Sequence, residues 1–399
     1  MLRRPAEPDD GGPMTGEVFG ISFRTHFREN LPQKLARLFQ ALEPGPLVRP
    51  GSLWAVKMHF GEAGGHGFIR PHLVRGLVEA LKNLGARPFL TDTVTLYPGG
   101  RSNAVGHLET ALAHGFGREV TGAPLVIADG LRGEAETAVA VERGGLDRAW
   151  VAAGLAAAEG LLVLSHFKGH ELTGFGGALK NLGVGGASLR GKLALHTVEK
   201  PAVTVKRKKC RGCGGCPAAC PAGAIALAGG QARIAPEKCL SCAQCLPVCP
   251  AGALGVKWAD DAPGFMRKMA ESARAVLSGK GGRAFFINFL NDVSPMCDCL
   301  NHSDAPFAPD LGVLASRDPV ALDLASAELI NQAPGRPGGR LAGADLAPGA
   351  DKWAALHPGR PWPFQLEYAE EIGLGSRDYG LTWLPEAPGV EAGASPASP

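Results

Sequence analysis

The chain alternates short runs of consecutive apolar residues with stretches in which apolar positions recur every three or four residues. The run at 53–58 precedes a helical pattern over 71–84, which Gly85 stops. The run at 88–90 precedes another near 104–114, and runs at 125–128, 161–164 and 284–287 follow. The run at 311–315 leads into a helical pattern over 319–330, opened by Asp318 and Pro319 as an N-cap and first-turn proline. Continuously apolar strands are buried on both faces, and interleaved helices supply the cover. The pattern predicts an α/β fold, a mostly parallel sheet with helices on both faces. The most apolar stretch, 150–167, carries Glu159 and several glycines. It reads as a buried helix followed by a buried strand and not as a membrane span.

The rhythm breaks between 201 and 256. There Cys210-x2-Cys213-x2-Cys216-x3-Cys220-Pro221 recurs 29 residues later as Cys239-x2-Cys242-x2-Cys245-x3-Cys249-Pro250. A duplicated unit flanked by two parts of another pattern is a small domain inserted in a larger one. The expected organisation is a flexible N-terminus over 1–17, an α/β core over 18–200 and 257–332, and an inserted small α+β ferredoxin-like domain over 201–256. A Pro/Gly-rich C-terminal extension and tail covers 333–399, and its residues 333–361 read as loose.

Composition narrows the class. With 45% hydrophobic and 20% charged residues in 399, the chain has ample material for a core, which excludes wholesale disorder. A net charge of +3 is too close to neutral to imply nucleic acid. All ten cysteines lie beyond residue 209, eight of them within the repeat. Clustered thiols in a long chain point to metal or cluster ligands in a reducing compartment. Pro5, Pro8, Asp9 and Asp10 stand where an export signal needs an apolar core, so the expected location is cytoplasmic.

Each repeat has the spacing by which bacterial ferredoxins hold [4Fe-4S] clusters. Three thiolates on one tight loop cover three corners of a cubane. The fourth, a helical turn further on and followed by proline, points to the other cluster. This assigns Cys210, Cys213, Cys216 and Cys249 to one cluster and Cys239, Cys242, Cys245 and Cys220 to the second. Paired zinc sites also use C-x2-C spacing but need neither the Cys-Pro ending nor the duplication. Lys206 to Lys209 and Arg211 beside the first loop offer a docking face for an acidic redox partner, or a solvated linker.

In parallel sheets ligands sit beyond the carboxyl ends of strands. The polar residues that follow the predicted strands are His59, Asp92, Asp129, His166, Lys168, His170, Asn288, Ser316 and Asp318. A glycine-rich stretch over 174–191 fails both phosphate-loop templates, because Leu193 stands where a magnesium-binding hydroxyl is required and Leu179 stands where G-x-G-x-x-G needs its third glycine. It leads into a short helix bearing Lys180 and Asn181. Cys297 and Cys299, with His302 nearby, offer a metal, a third cluster, a substrate site or a redox pair.

These residues resemble a known family, the iron–sulfur centre proteins built on domain of unknown function 362 with a ferredoxin insertion. The likeness is carried by Lys57-Met-His-Phe-Gly-Glu62, Leu90-Thr-Asp-Thr93, Arg101-Ser-Asn-Ala104, and Ile127-Ala-Asp-Gly-Leu-Arg-Gly133. It continues through the long motif from Ser165 to Asn181, the two cluster loops, Cys297-Asp-Cys299, and the stretch from Ser316 to Asp323. One departure is that Gly183-Val-Gly-Gly-Ala187 lacks a cysteine the family often has there. The resemblance implies an α/β core with two [4Fe-4S] clusters. Such cores are distantly similar to nickel-pincer lactate racemase domains, a likeness that implies His and Lys side chains gripping a cofactor. The resulting expectation is an iron–sulfur oxidoreductase that passes electrons to a small molecule or metal held by His59, His166, Lys168, His170, Lys180, Cys297 and Cys299. The alternative is a non-catalytic electron-transfer or cofactor-handling protein whose α/β part is a docking module.

Overall fold

The computed structural model describes residues 16–141, 144–259 and 261–386. Its centre is an eight-stranded sheet in the order Gly380–Trp383, Glu17–Ile21, Gly312–Ser316, Ala284–Leu290, Gly160–His166, Leu53–Lys57, Arg87–Asp92, Leu125–Ile127. Five of the seven pairings are parallel, and Gly312–Ser316 runs against both neighbours. The architecture is α/β with a mostly parallel sheet.

The unbroken apolar runs serve two cores at once. Successive residues of a strand face opposite ways. Trp54, Val56, Leu162, Leu164, Phe285 and Ile287 enter one core. Ala55, Leu161, Val163 and Phe286 enter the other. The first face is covered by helices Leu31–Gln40 and Pro71–Asn83, and the second by Ala262–Leu277, Pro319–Gln332 and Phe364–Glu371. Each fully buried Leu, Ile or Phe stabilises the fold by about 1.5–3 kcal/mol, so a strand that feeds two cores contributes along its whole length. Among the described residues no helix is long and apolar enough to cross a membrane.

Two segments differ from expectation. Over 150–167 the first half is strand Arg148–Ala152, paired with Glu136–Ala140, and only Ala153–Ala157 is helical before Gly160–His166. Trp150 and Val151 favour the extended form, and pairing with the preceding strand overrides the helical reading of an alanine-rich stretch. The Pro/Gly-rich stretch after 333 is anchored. Leu341, Trp353, Leu356 and Trp362 are each buried in the larger core. Trp353 donates its indole N–H to the Ala327 carbonyl at 3.1 Å and packs against Phe167, Phe175 and Phe307 with ring centroids 5.5, 5.6 and 5.3 Å away. Glycine and proline shape the turns between these anchors, so composition alone conceals the docking. Residues 1–15 and 387–399, the expected loose ends, lie outside the described residues.

Between 201 and 256 the chain leaves the large sheet. Val203–Val205 pairs antiparallel with Leu254–Val256 at the two ends of this segment, and Ile225–Ala228 pairs with Gln231–Ile234 inside it. Val203, Cys216, Ile225, Ala232, Cys245 and Leu254 form a separate apolar cluster with Val94, Leu96, Leu189 and Leu193 of the α/β part.

Candidate functional site

The parallel strands Leu53–Lys57, Arg87–Asp92 and Gly160–His166 bring their carboxyl ends to one edge of the sheet. Lys57 and Asp92 end adjacent strands, both buried, and the Lys57 ammonium lies 2.9 Å from Asp92 Oδ1. Lys57 also donates to Asn181 Oδ1 at 2.7 Å, and Asn181 in turn donates to the Leu164 carbonyl at 2.9 Å and Ser165 Oγ at 3.0 Å. Burial alone would raise the Asp92 carboxyl, but Lys57, His107, His59 and Arg101 outweigh it and hold it well below the usual carboxylate range. Arg101 stands 3.5 Å from Asp92 Oδ2 and donates to Glu62 Oε2 at 3.0 Å, while Tyr97 donates to the same Glu62 oxygen at 3.3 Å. Four buried polar atoms here have no hydrogen-bond partner, His59 Nε2, both His107 ring nitrogens and Asp92 Oδ2, although Asp92 Oδ2 has His107 Nε2 as an ion-pair neighbour at 3.6 Å. Burial, reinforced by Arg101, keeps the His59 imidazole well below its ordinary value, and burial pushes His107 down to about 3. Neutral imidazoles beside a carboxylate can accept or donate, which suits a small polar guest.

The second half of the crevice is built on His166, which ends its strand. Its Nδ1 lies 3.0 Å from both carboxylate oxygens of Asp298, and its Nε2 lies 2.8 Å from the Asn291 carbonyl. Acceptors at both ring nitrogens call for a proton on each, so the ring is an imidazolium. Burial opposes this, but Asp298 outweighs burial and the His166 value is raised. Asp298 is lowered in return, since His166 and Lys168 overcome its own burial. The Lys168 ammonium lies 3.2 Å from Asp298 Oδ2 and donates to the His166 carbonyl at 2.8 Å. Gly67 lets its backbone press on this pair, because a Cβ there would lie 2.4 Å from Asp298 Oδ1.

Beyond Lys168 a small hairpin, Lys168–His170 with Gly174–Gly176, turns the chain into helix Ala178–Gly183. Buried Asp323 fixes the start of this helix, accepting from Ala178 N at 2.7 Å, Leu179 N at 2.9 Å and Asn288 Nδ2 at 2.8 Å. Asp323 thereby aims Lys180, whose ammonium donates to Cys297 Sγ at 3.4 Å. The Cys299 backbone N–H donates to the same sulfur at 3.4 Å. The Cys299 thiol hydrogen bond, followed by Lys180 and His170, overcomes burial and holds Cys297 well below an ordinary thiol. Cys299 is pushed well above, because it shares its proton with Cys297 and is itself shielded. His170 Nδ1 lies 2.9 Å from Thr173 Oγ1.

The cysteine-rich segment contains two separate cavities. One, of about 20 Å³, is lined by Cys220, Cys239, Cys242 and Cys245. The other, also of about 20 Å³, is lined by Cys210, Cys213, Cys216 and Cys249. Three thiols in each come from one repeat and the fourth from the other. Backbone N–H groups donate to sulfur from Ala224 to Cys220 at 3.2 Å and, at the matching place in the second repeat, from Ala253 to Cys249 at 3.2 Å. The loops share an unusual backbone. Gly212 and Gly214 have positive φ of 62° and 80°, and so do Ser241 and Ala243 of the second repeat at 50° and 64°. Left-handed backbone at non-glycine residues costs of order 1–2 kcal/mol each and persists only where surrounding structure imposes it. The basic residues Lys206 to Lys209 and Arg211 are exposed beside Cys210.

His59, His166, Lys168, His170, Lys180, Cys297 and Cys299 thus share one crevice. Their electrostatic partners include Asp298, Lys57, Arg101, Tyr97 and His107, which the strand-end rule does not pick out. Asp298 lies between the two cysteines, and that position was its only sequence signal. Other strand-end residues are structural. Asn288 braces Asp323 and Ser326, and the Asp129 carboxylate accepts from Val94 N at 3.1 Å. Ser316 and Asp318 follow an antiparallel strand and so emerge at the opposite edge, where Asp318 caps helix Pro319–Gln332 by accepting from Val320 N at 2.8 Å and Ala321 N at 3.0 Å. His166 and His170 lie on strands and not on a shared helical face.

The class defined by these features is an α/β protein with a charged, buried crevice at its strand ends and a twofold-repeated cysteine segment packed beside it. The chain belongs to the family described as domain of unknown function (DUF362), which it matches over residues 55–328. No curated protein matches it. Among solved structures it is similar to the lactate racemase apoprotein from Thermoanaerobacterium thermosaccharolyticum, with a TM-score of 0.40, 13% identity, and coverage of 82% of this chain and 60% of that one. A structural-genomics crystal structure of a Thermotoga maritima protein gives a TM-score of 0.39 at 13% identity, covering 77% of this chain and 59% of that one. The chain therefore spans about 60% of the length of these relatives.

Proposed function

We propose that this chain is an iron–sulfur protein that carries two [4Fe-4S] clusters in its cysteine repeat and passes electrons between a partner and the crevice of the α/β core. The observation that carries this reading is the pair of cavities, each lined by four cysteines with one contributed across the repeat. Eight thiols in two crossed sets of four suit two cubanes. The N–H donors at Cys220 and Cys249 suit sulfur that bears negative charge. When bound, the clusters would supply one-electron transfer. Val94 and Leu96 share an apolar cluster with Cys216 and Cys245, and Asp92 and Tyr97 flank this segment, so a short path of packed side chains and backbone joins the repeat to the crevice. The exposed cations from Lys206 to Arg211 would receive an acidic redox partner, and the His59 and His107 ring nitrogens that lack hydrogen-bond partners would hold a small polar molecule.

Anaerobic purification followed by iron and sulfide analysis tests the reading. About eight irons and about eight sulfides per chain are expected, with cubane EPR signals on reduction. Two to four zinc ions without sulfide would overturn it.

A further inference from the structure

Cys297 and Cys299 stand two residues apart, and the Cys299 backbone N–H donates to Cys297 Sγ. Two donors converge on Cys297: the Lys180 ammonium and the Cys299 N–H each lie 3.4 Å from its sulfur. Such a shell stabilises a thiolate. Exposure differs between the two: Cys297 is 3% exposed, whereas Cys299 is only partly covered. Cys297 is therefore the protected sulfur, and Cys299 is the less covered of the two.

We propose that Cys297 and Cys299 form a dithiol–disulfide couple that reduces a disulfide substrate in the crevice. The less covered Cys299 attacks one sulfur of the substrate disulfide and passes its proton to the Cys297 thiolate. This forms a mixed disulfide on Cys299 and releases the first substrate thiolate. The proton then moves from Cys297 to that leaving thiolate. Cys297, again a thiolate held by Lys180, attacks Cys299 Sγ, forms the intramolecular disulfide and releases the second substrate thiolate. The substrate disulfide gains two electrons and the cysteine pair loses two. Regeneration of the Cys297 thiolate and Cys299 thiol needs two electrons and one proton, and in this respect the inference rests on the electron-transfer reading, because two one-electron centres match one disulfide. Lys180 is a positioning residue here, since it acts through Cys297.

The test uses the full chain, purified anaerobically and equilibrated with oxidised and reduced dithiothreitol at varied ratios. Acid quenching, alkylation and mass spectrometry then read the peptide that contains both cysteines, while iron and sulfide are counted on the same sample. The bridged fraction is expected to rise from a small minority to a large majority over roughly a hundredfold change in the ratio, the signature of a single two-electron couple. Lys180→Met is expected to slow iodoacetamide alkylation of the pair about tenfold at neutral pH, as one unit of thiol pKa would do, and Lys180→Arg to restore most of it. About eight irons with no bridge at any ratio would overturn the couple and leave the electron-transfer reading standing. A bridge in protein that never holds iron and sulfide would overturn the electron-transfer reading and leave the couple standing.

Discussion

Replacing Trp353 tests whether the C-terminal region is part of the core that carries the crevice. The side chain is fully buried. A tryptophan removes about 150–250 Å² from water, which at about 25 cal/mol per Å² amounts to about 4–6 kcal/mol. Its rings meet Phe167, Phe175 and Phe307 at 5.3 to 5.6 Å, and aromatic pairs of this kind add about 0.5–1.5 kcal/mol each. Partial collapse of the cavity returns some of this, and large-to-small changes of this type cost about 3–5 kcal/mol in practice. Trp353→Ala should therefore lower stability by about 4 kcal/mol, measured as the shift of the urea midpoint followed by far-UV circular dichroism. Trp353→Phe keeps most of the ring but loses the N–H bond to Ala327, so its loss should be about half as large. Phe167 lies between His166 and Lys168, so the alanine variant should also alter alkylation of Cys297, which Lys168's partner Asp298 adjoins in sequence. A loss below about 1 kcal/mol would show that the segment merely rests on the core.

Other expectations follow from the same contacts. Asp323→Asn puts a donor against at least one of three donors and should cost about 1–3 kcal/mol in urea unfolding; an unchanged midpoint would contradict its role in holding the Lys180 helix. His166 is raised in the fold, so its contribution is fully present below about pH 6.5 and fades as pH climbs through the raised value. Asp298 is lowered, so its share is present above about pH 4 and fades on acidification. The stability difference between wild type and His166→Gln should then be largest between about pH 4 and 6.5 and shrink towards pH 9; a constant difference would rule out the charged pair. Cys249→Ser should lose the same half of the iron and EPR signal as Cys210→Ser, and Cys220→Ser the half lost by Cys239→Ser. If Cys249→Ser instead groups with Cys239→Ser, the crossed arrangement of the cavities is wrong.

Much of the α/β sheet was legible because a strand feeding two cores cannot hide its apolar residues. The runs at 53–58, 161–164 and 284–287 become Leu53–Lys57, Gly160–His166 and Ala284–Leu290. The antiparallel sense of Gly312–Ser316 was not legible, since a strand buried on both faces reads the same in either direction. That is why Ser316 and Asp318 fell outside the crevice. Cysteine spacing carried strong information because a repeat fixes geometry within one short loop. The crevice was only half legible. His59, His166 and Lys180 follow from strand ends and a short helix, but Asp298, Arg101 and Tyr97 act through contacts between segments distant in sequence. Trp353 illustrates the same limit, for one buried anchor among prolines and glycines leaves no periodic trace.

The strand Glu17–Ile21 lies parallel to Gly380–Trp383, from Glu17 beside Gly380 to Gly20 beside Trp383. Pulling the chain backwards from residue 16 and forwards from residue 386 would therefore slide these strands along each other. Their hydrogen bonds would be loaded together in shear and would not open one at a time as in a peeled hairpin. The edge of the sheet thus acts as a mechanical latch between two distant parts of the chain. An unfolding machine that draws on one segment while the other is held would meet its greatest resistance at this pair, before the crevice or the cysteine repeat felt the load.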